Sequence, residues 1–341
     1  MTGTPYDALL LVSFGGPEGP GDVMPFLENV TRGRGIPHAR LEEVSRHYHL
    51  FGGVSPINAQ NRALQAALGE AIDLPVYWGN RNWAPYLVDE LSRMRTDGVR
   101  RALAFVTSAY SSYSGCRQYR EDIERARQQV GAGAPVVDKI RVFYHHPGFV
   151  LPYAAAVRAA LAELPSRHRD AARLVFTAHS IPVAMAADCA YEAQLRETCR
   201  QVVGALGGGH AWSLAWNSRS GPAQMPWLEP DISEALAGLA AEQVASVVVV
   251  PIGFVSDHLE VVYDLDTVAV PAARAAGMHV VRAATPGLDL VPMVASLVAE
   301  RTGQGPSWWL GPRGRPHDTC PRDCCPAPRR EPAPGPVLGA G

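Results

Sequence analysis

Lysine is almost missing from this chain: Lys139 is its single lysine, so nearly all of its positive charge is arginine. Lysine and arginine number 31 together, against 33 aspartate and glutamate residues, which leaves a formal net charge of -2. Because the chain has no overall positive field, we expect no nucleic-acid partner. Arginine can still hold carboxylates through its planar fork of N–H donors.

Long hydrophobic runs are also missing. The longest apolar run, residues 247–250 with their neighbours, is too short to span a bilayer, so we expect no integral membrane segment. The N-terminus lacks the basic, apolar and small-residue regions of a signal peptide, which favours a cytoplasmic location. Hydrophobic residues make up 47% of the 341 residues, enough for a sizeable core.

Cysteine is sparse, but half of it is clustered near the C-terminus. Without a secretion signal, clustered cysteines indicate metal binding more than disulfides. The six cysteines are Cys116, Cys189, Cys199, Cys320, Cys324 and Cys325.

The apolar pattern predicts an α/β fold, because runs that are apolar on both faces are typical of parallel strands covered by helices. Strong runs occupy residues 8–13, 102–107, 174–177 and 246–252, and weaker ones 75–78, 139–143, 211–215 and 279–282. Helical segments alternate with them, at residues 59–71, 84–98, 118–130, 152–164, 191–206, 232–241, 260–276 and 292–301. This alternation predicts doubly wound sheets that bind ligands at the carboxyl ends of their strands.

The order of features repeats, which predicts two Rossmann-like domains facing each other across a central cleft. We expect the boundary near residues 144–149, where YHHPGF breaks the pattern, giving domains 1–147 and 148–302. Residues 303–341 form a tail rich in Pro, Gly and Arg. The tail contains three cysteines and Trp308-Trp309, so we expect part of it to dock on the body.

The stretch LVFTAHSIP, residues 174–182, places His179 at the exit of a buried strand. One interpretation is a core histidine bonded to the backbone. The other is a functional side chain, because the strand delivers it to the edge where ligands bind, directly before Ser180 and Pro182.

The stretch PIGFVSDHLEVVYDLD, residues 251–266, is rich in acids after a buried strand. Asp257 and Glu260 have capping-box spacing, which would give Glu260 a structural role. Alternatively, Glu260 and Asp264 lie one turn apart on one helix face near His258, an arrangement suited to cation delivery or proton removal. Spacing alone leaves both possibilities open.

Two stretches near the N-terminus carry polar groups: ENVTRGRGIP with Arg32 and Arg34, and RHYHLFGGVSPIN with Tyr48 and Ser55. They form either a solvated basic loop or a clamp for carboxylates. The nearby SFGGP lacks the spacing of a phosphate-binding loop, which excludes a nucleotide site of that kind.

The chain resembles the ferrochelatase family through motifs spread over residues 9–266: LLLVSFGGPEGP, VTRGRG, FGGVSPIN, TAHSIP, SRSGP with PWLEPD, and PIGFVSDHLEVVYDLD. The resemblance implies two Rossmann-type domains and insertion of Fe²⁺ into a porphyrin. It places His179 at the porphyrin centre as catalytic base and metal ligand, with Glu260 opposite it in the same roles. His258 and Asp264 match neighbouring polar positions of the substrate site.

Two departures from the family pattern affect the metal. Phe14 stands where some bacterial members have a tyrosine, so an axial ligand would come from Tyr110, Tyr113 or Tyr119. Val268 ends the acidic helix face that continues in some relatives, which argues against an outer metal site.

The resemblance also implies a [2Fe-2S] cluster cofactor, held by one internal cysteine and three in the tail. The matching positions are Cys116, Cys320, Cys324 and Cys325, and four thiolates are what such a cluster needs. An unliganded tail, or a zinc site that uses His317, is the alternative. Cys189 and Cys199 are expected to be ordinary thiols.

This chain is poor in lysine and carries the cluster cysteines, and in both respects it resembles actinobacterial members of the family. Those members act on coproporphyrin III, so the resemblance implies that porphyrin as the substrate. The implied porphyrin site comprises Phe14, Arg32, Arg34, Tyr48, Ser55, Ser111, Ser112, Tyr119, His258 and Asp264. Protoporphyrin IX is the alternative substrate. Further alternatives are a chelatase for another metal and a tetrapyrrole carrier or cluster-based sensor without turnover. We expect a monomer.

Overall fold

The computed structural model describes residues 4–33, 35–221 and 224–328. In the first half of the chain, parallel strands pair in the order β2-β1-β3-β4. Their bounds are β1 Ala8–Ser13, β2 Val76–Asn80, β3 Arg101–Val106 and β4 Val136–Lys139. The central strand β1 is buried along its whole length, as its unbroken apolar run predicts.

The second half repeats this arrangement, in the order β6-β5-β7-β8. Its strands are β5 Arg173–His179, β6 Trp212–Asn217, β7 Ser246–Val250 and β8 His279–Arg282. The prediction of two Rossmann-like α/β units is therefore confirmed. The division at residue 147 stays a prediction, although one sheet lies on each side of it.

Helices cover the sheets. The α-helices are α1 Val23–Thr31, α2 His38–His49, α3 Ile57–Ala71, α4 Leu87–Thr96, α5 Gln118–Val130, α6 Pro147–Glu163, α7 Ser166–Arg169, α8 Val183–Ala187, α9 Tyr191–Ala205, α10 Ile232–Ala241, α11 Val270–Ala275 and α12 Val291–Thr302. Short 3₁₀ helices span Pro20–Asp22 and Gly287–Leu290, and π-helices span Tyr113–Arg117 and Val261–Ala269. Within the described residues, no helix is both long and apolar enough to cross a membrane.

Some sequence predictions are wrong. The run 139–143 is a strand only at its first residue, because β4 ends at Lys139. The Ile140 N–H still bonds to the carbonyl of Ala104, and the chain then leaves the sheet for the core. There Phe143 stacks on Phe105, with centroids 5.2 Å apart. No helix was predicted between residues 14 and 56, but α1 and α2 lie there. Helix α2 was missed because it buries only Leu41 and Ser45, which leaves little apolar pattern.

The two halves share one core, and α6 packs within it. The Tyr153 hydroxyl on α6 donates to the carbonyl of Pro251, at 2.6 Å, just after β7. Tyr110, just after β3, donates to the carbonyl of Ile252 at 2.9 Å. These bonds bring the carboxyl ends of β3 and β7 together, so the exits of both sheets border the same cleft.

The tail docks on the body over its described residues, as expected. The Leu310 N–H donates to the carbonyl of His145 at 2.8 Å. Arg313 pairs with the buried Glu197 at 2.6 Å, and Arg315 with the buried Glu300 at 2.8 Å. A segment with little apolar surface is thus held by arginine–carboxylate pairs.

Candidate active site

His179 is the last residue of β5, and backbone bonds fix its orientation. The ring atom Nδ1 lies 2.5 Å from the carbonyl oxygen of Ser180. The Tyr191 hydroxyl donates to the backbone carbonyl of His179 at 3.0 Å. Because a carbonyl oxygen only accepts, Nδ1 carries the hydrogen, and the lone pair of the neutral ring sits on Nε2. The ring is anchored to the backbone at Nδ1, and the side chain is 34% exposed. A functional role for Nε2 stays a prediction.

Glu260 faces this nitrogen, with 3.6 Å between His179 Nε2 and Glu260 Oε2. The capping-box alternative is wrong. The Glu260 N–H donates to His258 Nδ1 at 3.2 Å, and the Asp257 carboxylate accepts from Arg282 and Thr285. The Glu260 carboxylate is therefore available to the cleft, where its side chain is 45% exposed.

Asp264 lies on the same helix face, mostly buried. Its Oδ2 accepts from the Ser218 hydroxyl and, at 3.3 Å, from the amide of Asn217. Burial raises the pKa of Asp264 to about 6, and the negative charge of Glu260 also raises it. Burial lowers the pKa of His258, whose ring packs edge-on against Phe254 at 4.9 Å. Polar side chains therefore lead from His179 into the protein: first Glu260, then Asp264, with His258 beside them.

Helix α2 of the first half closes over this acid pair. The His47 ring stacks on Tyr263 at 3.9 Å. Burial raises the pKa of Tyr48, and the charge of Glu260 adds to that rise, which places the phenol near the carboxylate. Tyr48 also packs on Phe26, which contacts Phe14 at 6.3 Å. Phe14, Phe26 and Tyr48 thus form an aromatic wall on the side of the cleft that belongs to the first half of the chain. Phe14 is 37% exposed.

A family model described as Ferrochelatase matches residues 6–302. The chain belongs to the ferrochelatase family. Ferrochelatase from Rhodopirellula baltica is 52% identical to it, over 97% of both chains. Coproporphyrin III ferrochelatase from Streptomyces griseus is 53% identical, over 96% of both chains, and that from Streptomyces coelicolor 51%, over 98% of this chain and 96% of its own.

The fold has a solved counterpart as well. SirB from Bacillus subtilis with Fe³⁺ superimposes with a TM-score of 0.55 at 11% identity, covering 87% of this chain and 97% of that one. At this identity the match shows a shared fold. The expected ferrochelatase family and chelatase fold are thus confirmed.

The structure does not gather every family-implied substrate residue at the His179–Glu260 pair. Ser112 is buried, and its hydroxyl caps a π-helix by accepting from the Gly115 N–H at 2.9 Å. Tyr119 is buried beneath the Arg81 guanidinium, 4.3 Å from its ring. Both side chains are engaged in packing within the protein, and their contact with a porphyrin stays a prediction.

The other residues of the expected porphyrin site differ in how deeply they are buried and in what they bond to. Ser55 is buried, with its N–H bonded to the carbonyl of Pro17, and Ser111 exchanges two hydrogen bonds with Gln194. Arg32 is exposed just after α1, and Arg34 lies outside the described residues. Direct contact of these residues with a porphyrin stays a prediction.

The tyrosines considered as axial ligands are already bonded elsewhere. Tyr110 is fully buried on the carbonyl of Ile252, and the Tyr113 hydroxyl donates to Glu121 at 3.0 Å. The Tyr119 ring lies beneath Arg81, and an axial ligand from this set stays a prediction.

Sequence reasoning missed several residues that support the site, among them Asn217, Ser218 and Tyr263. Asn217 is paired with His179 in the register of β5 and β6, and ends its strand as His179 does. That shared strand end was the available signal. Tyr263 gave none, because its partner His47 is distant in the sequence.

Cys116, Cys320, Cys324 and Cys325, the four cysteines predicted to hold a cluster, line one cavity of about 1140 Å³ between the tail and the body, together with Cys189. Arg117 holds the tail there, donating to the carbonyls of Arg322 at 2.6 Å and Cys324 at 3.1 Å. The Cys324 and Cys325 sulfurs lie 3.7 Å apart. A hydrogen bond from Cys320 lowers the pKa of Cys116 to about 5, helped by the charge of Lys139.

The same hydrogen bond raises the pKa of Cys320. In the described part of the chain, no group of three or more His, Cys, Asp or Glu side chains is arranged to hold a single metal ion. The thiols are therefore neighbours around a cavity, not a closed mononuclear site.

Proposed function

We propose that the protein inserts Fe²⁺ into coproporphyrin III to give coproheme, with His179 and Glu260 as its catalytic pair. The observation that carries this proposal is the 3.6 Å approach of His179 Nε2 and Glu260 Oε2 at the strand exits. Relatives named coproporphyrin III ferrochelatase, 51–53% identical over nearly the whole chain, support the substrate.

His179 is proposed to accept pyrrole protons, since two must leave before four nitrogens can hold iron. Its neutral ring offers the Nε2 lone pair, while the Ser180 carbonyl keeps the hydrogen on Nδ1. Proton transfer then creates an imidazolium beside the Glu260 carboxylate. That carboxylate stabilises the charge, so base and counter-ion act as one unit.

Glu260 and Asp264 are proposed to guide the hydrated Fe²⁺ towards the macrocycle. Burial raises the pKa of Asp264 to about 6, so its carboxyl can still ionise at neutral pH. Ser218 and Asn217 hold one of its oxygens in place. Two fixed acids, one turn apart, give the cation a short path of oxygen ligands that ends at His179.

The macrocycle is proposed to lie between the aromatic wall of Phe14, Phe26 and Tyr48 and the His179–Glu260 pair. Its four propionates would use polar groups of the first half, with Arg32, Arg34, Tyr48 and Ser55 as the predicted partners. A substrate with four carboxylates suits an arginine-rich chain better than one with two.

An anaerobic insertion assay tests this proposal, with Fe²⁺ offered to coproporphyrin III and protoporphyrin IX in parallel. We expect a higher kcat/KM for coproporphyrin III. A preference for protoporphyrin IX would overturn the substrate assignment. Binding of both porphyrins without insertion would favour a carrier or sensor instead.

We also propose that Cys116, Cys320, Cys324 and Cys325 hold a [2Fe-2S] cluster. Their fit rests on one cavity that all four cysteines line and on a Cys116 thiol already inclined to ionise. When bound, the cluster supplies an iron–thiolate cross-link and a one-electron couple. These residues would tie the tail to the π-helix that carries Cys116. The monomeric state and cytoplasmic location stay predictions.

A further inference from the structure

Arg282, the last residue of β8, uses its entire guanidinium. Its Nε and Nη2 donate to the two oxygens of Asp266 at 2.6 and 2.9 Å. Its Nη1 and Nη2 donate to the two oxygens of Asp257 at 3.2 and 3.1 Å, and Nη1 also reaches the carbonyl of Ala283 at 3.4 Å. Arg282 therefore grips two carboxylates bidentately from one position, with its side chain only 16% exposed.

The two gripped carboxylates bracket the acidic part of the site. Asp257 directly precedes His258, and Asp266 follows Asp264 by two residues, so Glu260 and Asp264 both lie between the anchors. Thr285 adds a hydrogen bond to Asp257 at 3.0 Å. The path from Asp257 to Asp266 is thus held at both ends by β8 and the residues just after it.

The bracketed segment needs such anchoring, because most of it is a π-helix, Val261–Ala269. A π-helix is rare, and it usually survives as a single turn at a functional site. Nine residues in this conformation require contacts outside the helix to keep them from tightening. A change of helical pitch between fixed residues would rotate Glu260 relative to Asp264.

We propose that Arg282 is a positioning residue for iron insertion. By holding Asp257 and Asp266 together, it keeps the π-helix wide and directs Glu260 and Asp264 towards His179. This inference rests on the proposed function for its kinetic consequence. Its structural consequence, the 3.6 Å approach of Glu260 to His179, is independent of turnover.

The alternative is an ion network that only adds stability. Both possibilities predict some loss of melting temperature when Arg282 is changed, so stability does not separate them. They differ in the Fe²⁺ dependence of the folded enzyme. A positioning residue controls metal handling at unchanged porphyrin affinity, whereas a merely stabilising one alters only the folded fraction.

The experiment compares Arg282→Gln and Arg282→Lys with the matched control Arg274→Gln. Arg274 also contacts β8, donating twice to the carbonyl of Val280 at 3.0 and 2.7 Å, but it does not grip the acidic segment. Lysine keeps the charge but cannot bind two carboxylates bidentately. Three quantities are measured on folded protein: KM for Fe²⁺, coproporphyrin III affinity by fluorescence quenching, and Zn²⁺ affinity by calorimetry.

We expect both Arg282 variants to raise the KM for Fe²⁺ and to weaken Zn²⁺ binding, each by roughly 10-fold or more, as when a residue that orients metal ligands is removed. Porphyrin affinity and the Arg274→Gln control should stay within about 2-fold of wild type. A crystal structure of Arg282→Gln should show Glu260 withdrawn from His179.

Unchanged Zn²⁺ affinity in both variants, or rescue by Arg282→Lys, would overturn the positioning role. If the wild-type protein inserts no iron, the proposed function fails. The Zn²⁺ affinities and the Glu260 position still decide the role of Arg282 in that case.

Discussion

The imidazole of His47 lies nearly parallel to the phenol ring of Tyr263, with 3.9 Å between ring centroids and 15° between ring planes. His47 is on α2, in the first half of the chain, and Tyr263 is in the π-helix that follows Glu260. This stack therefore joins the two halves directly over the acid pair. A porphyrin entering from this side has to separate the rings or pass beside them.

We expect His47→Ala to loosen this closure while His47→Phe preserves it. An aromatic pair contributes about 0.5–1.5 kcal/mol beyond its buried area, so its loss should speed coproporphyrin III dissociation roughly 2- to 10-fold. Stopped-flow fluorescence measures that rate. Equal rates for the Ala and Phe variants would show that the stack does not control access.

We expect His179→Ala to abolish iron insertion while the fold survives. A positioned general base contributes roughly 10²–10⁴-fold, and the exposed Nε2 is the candidate base. Initial rates under anaerobic conditions, with circular dichroism as the folding control, test this. Retention of more than about a tenth of the wild-type rate would remove His179 from the catalytic role.

Glu260→Gln should impair insertion far more than porphyrin binding. Glutamine keeps the size of the side chain but loses the charge that attracts Fe²⁺ and stabilises a protonated His179. Paired measurements of insertion rate and porphyrin affinity check this. A variant that melts early but whose folded fraction is fully active would contradict this prediction and would indicate a structural role for Glu260.

Asp264 should make stability depend on pH with a definite sign. Burial raises its pKa from 3.8 to about 6, so between these values the folded state holds a proton that the unfolded state has released. Stability should therefore fall as pH rises through this range, by on the order of 3 kcal/mol at most. Urea unfolding at several pH values should show this slope in the wild type relative to Asp264→Asn. Parallel profiles for the two proteins would refute it.

The purified protein should be red-brown and contain two irons per chain in its cluster, because four thiolates are the usual ligands of a [2Fe-2S] centre. Serine at Cys116, Cys320, Cys324 or Cys325 should remove the colour. Serine at Cys199, which is fully buried in α9, is the matched control and should leave it intact.

Cys189 separates the possible ligand sets, because it lines the same cavity. We expect Cys189→Ser to keep the colour. Colour lost only in that variant, or a colourless protein with one zinc per chain, would overturn the ligand assignment without affecting the chelatase proposal.

The architecture could be predicted from local sequence. The strands Ala8–Ser13 and His279–Arg282 match their predicted bounds, because parallel strands that are buried on both faces consist of short apolar runs. His179 and Glu260 were found the same way, the first as a polar residue ending such a run and the second within an acidic stretch after another. The order of the motifs also indicated the family.

Some side-chain contacts could not be predicted from the sequence, because the two residues in contact are far apart along the chain. Spacing made Asp257 and Glu260 look like a capping box, but Arg282, on a neighbouring strand, takes the Asp257 carboxylate. The family pattern predicts Tyr119 at the porphyrin, and nothing in the local sequence shows that Arg81 lies over its ring. In both cases the competing partner is more than 20 residues away.

The sequence by itself determined the two α/β units, the strand that delivers His179 and the acids that follow β7, because apolar periodicity and residue order are local properties. Only the tertiary structure decided which side chains meet: Nε2 of His179 with Glu260, His47 with Tyr263, and Arg282 with two carboxylates. Each of these contacts depends on the distance between strand ends and helix faces from separate parts of the chain. That distance is set when α6 and the shared core bring the two sheets together.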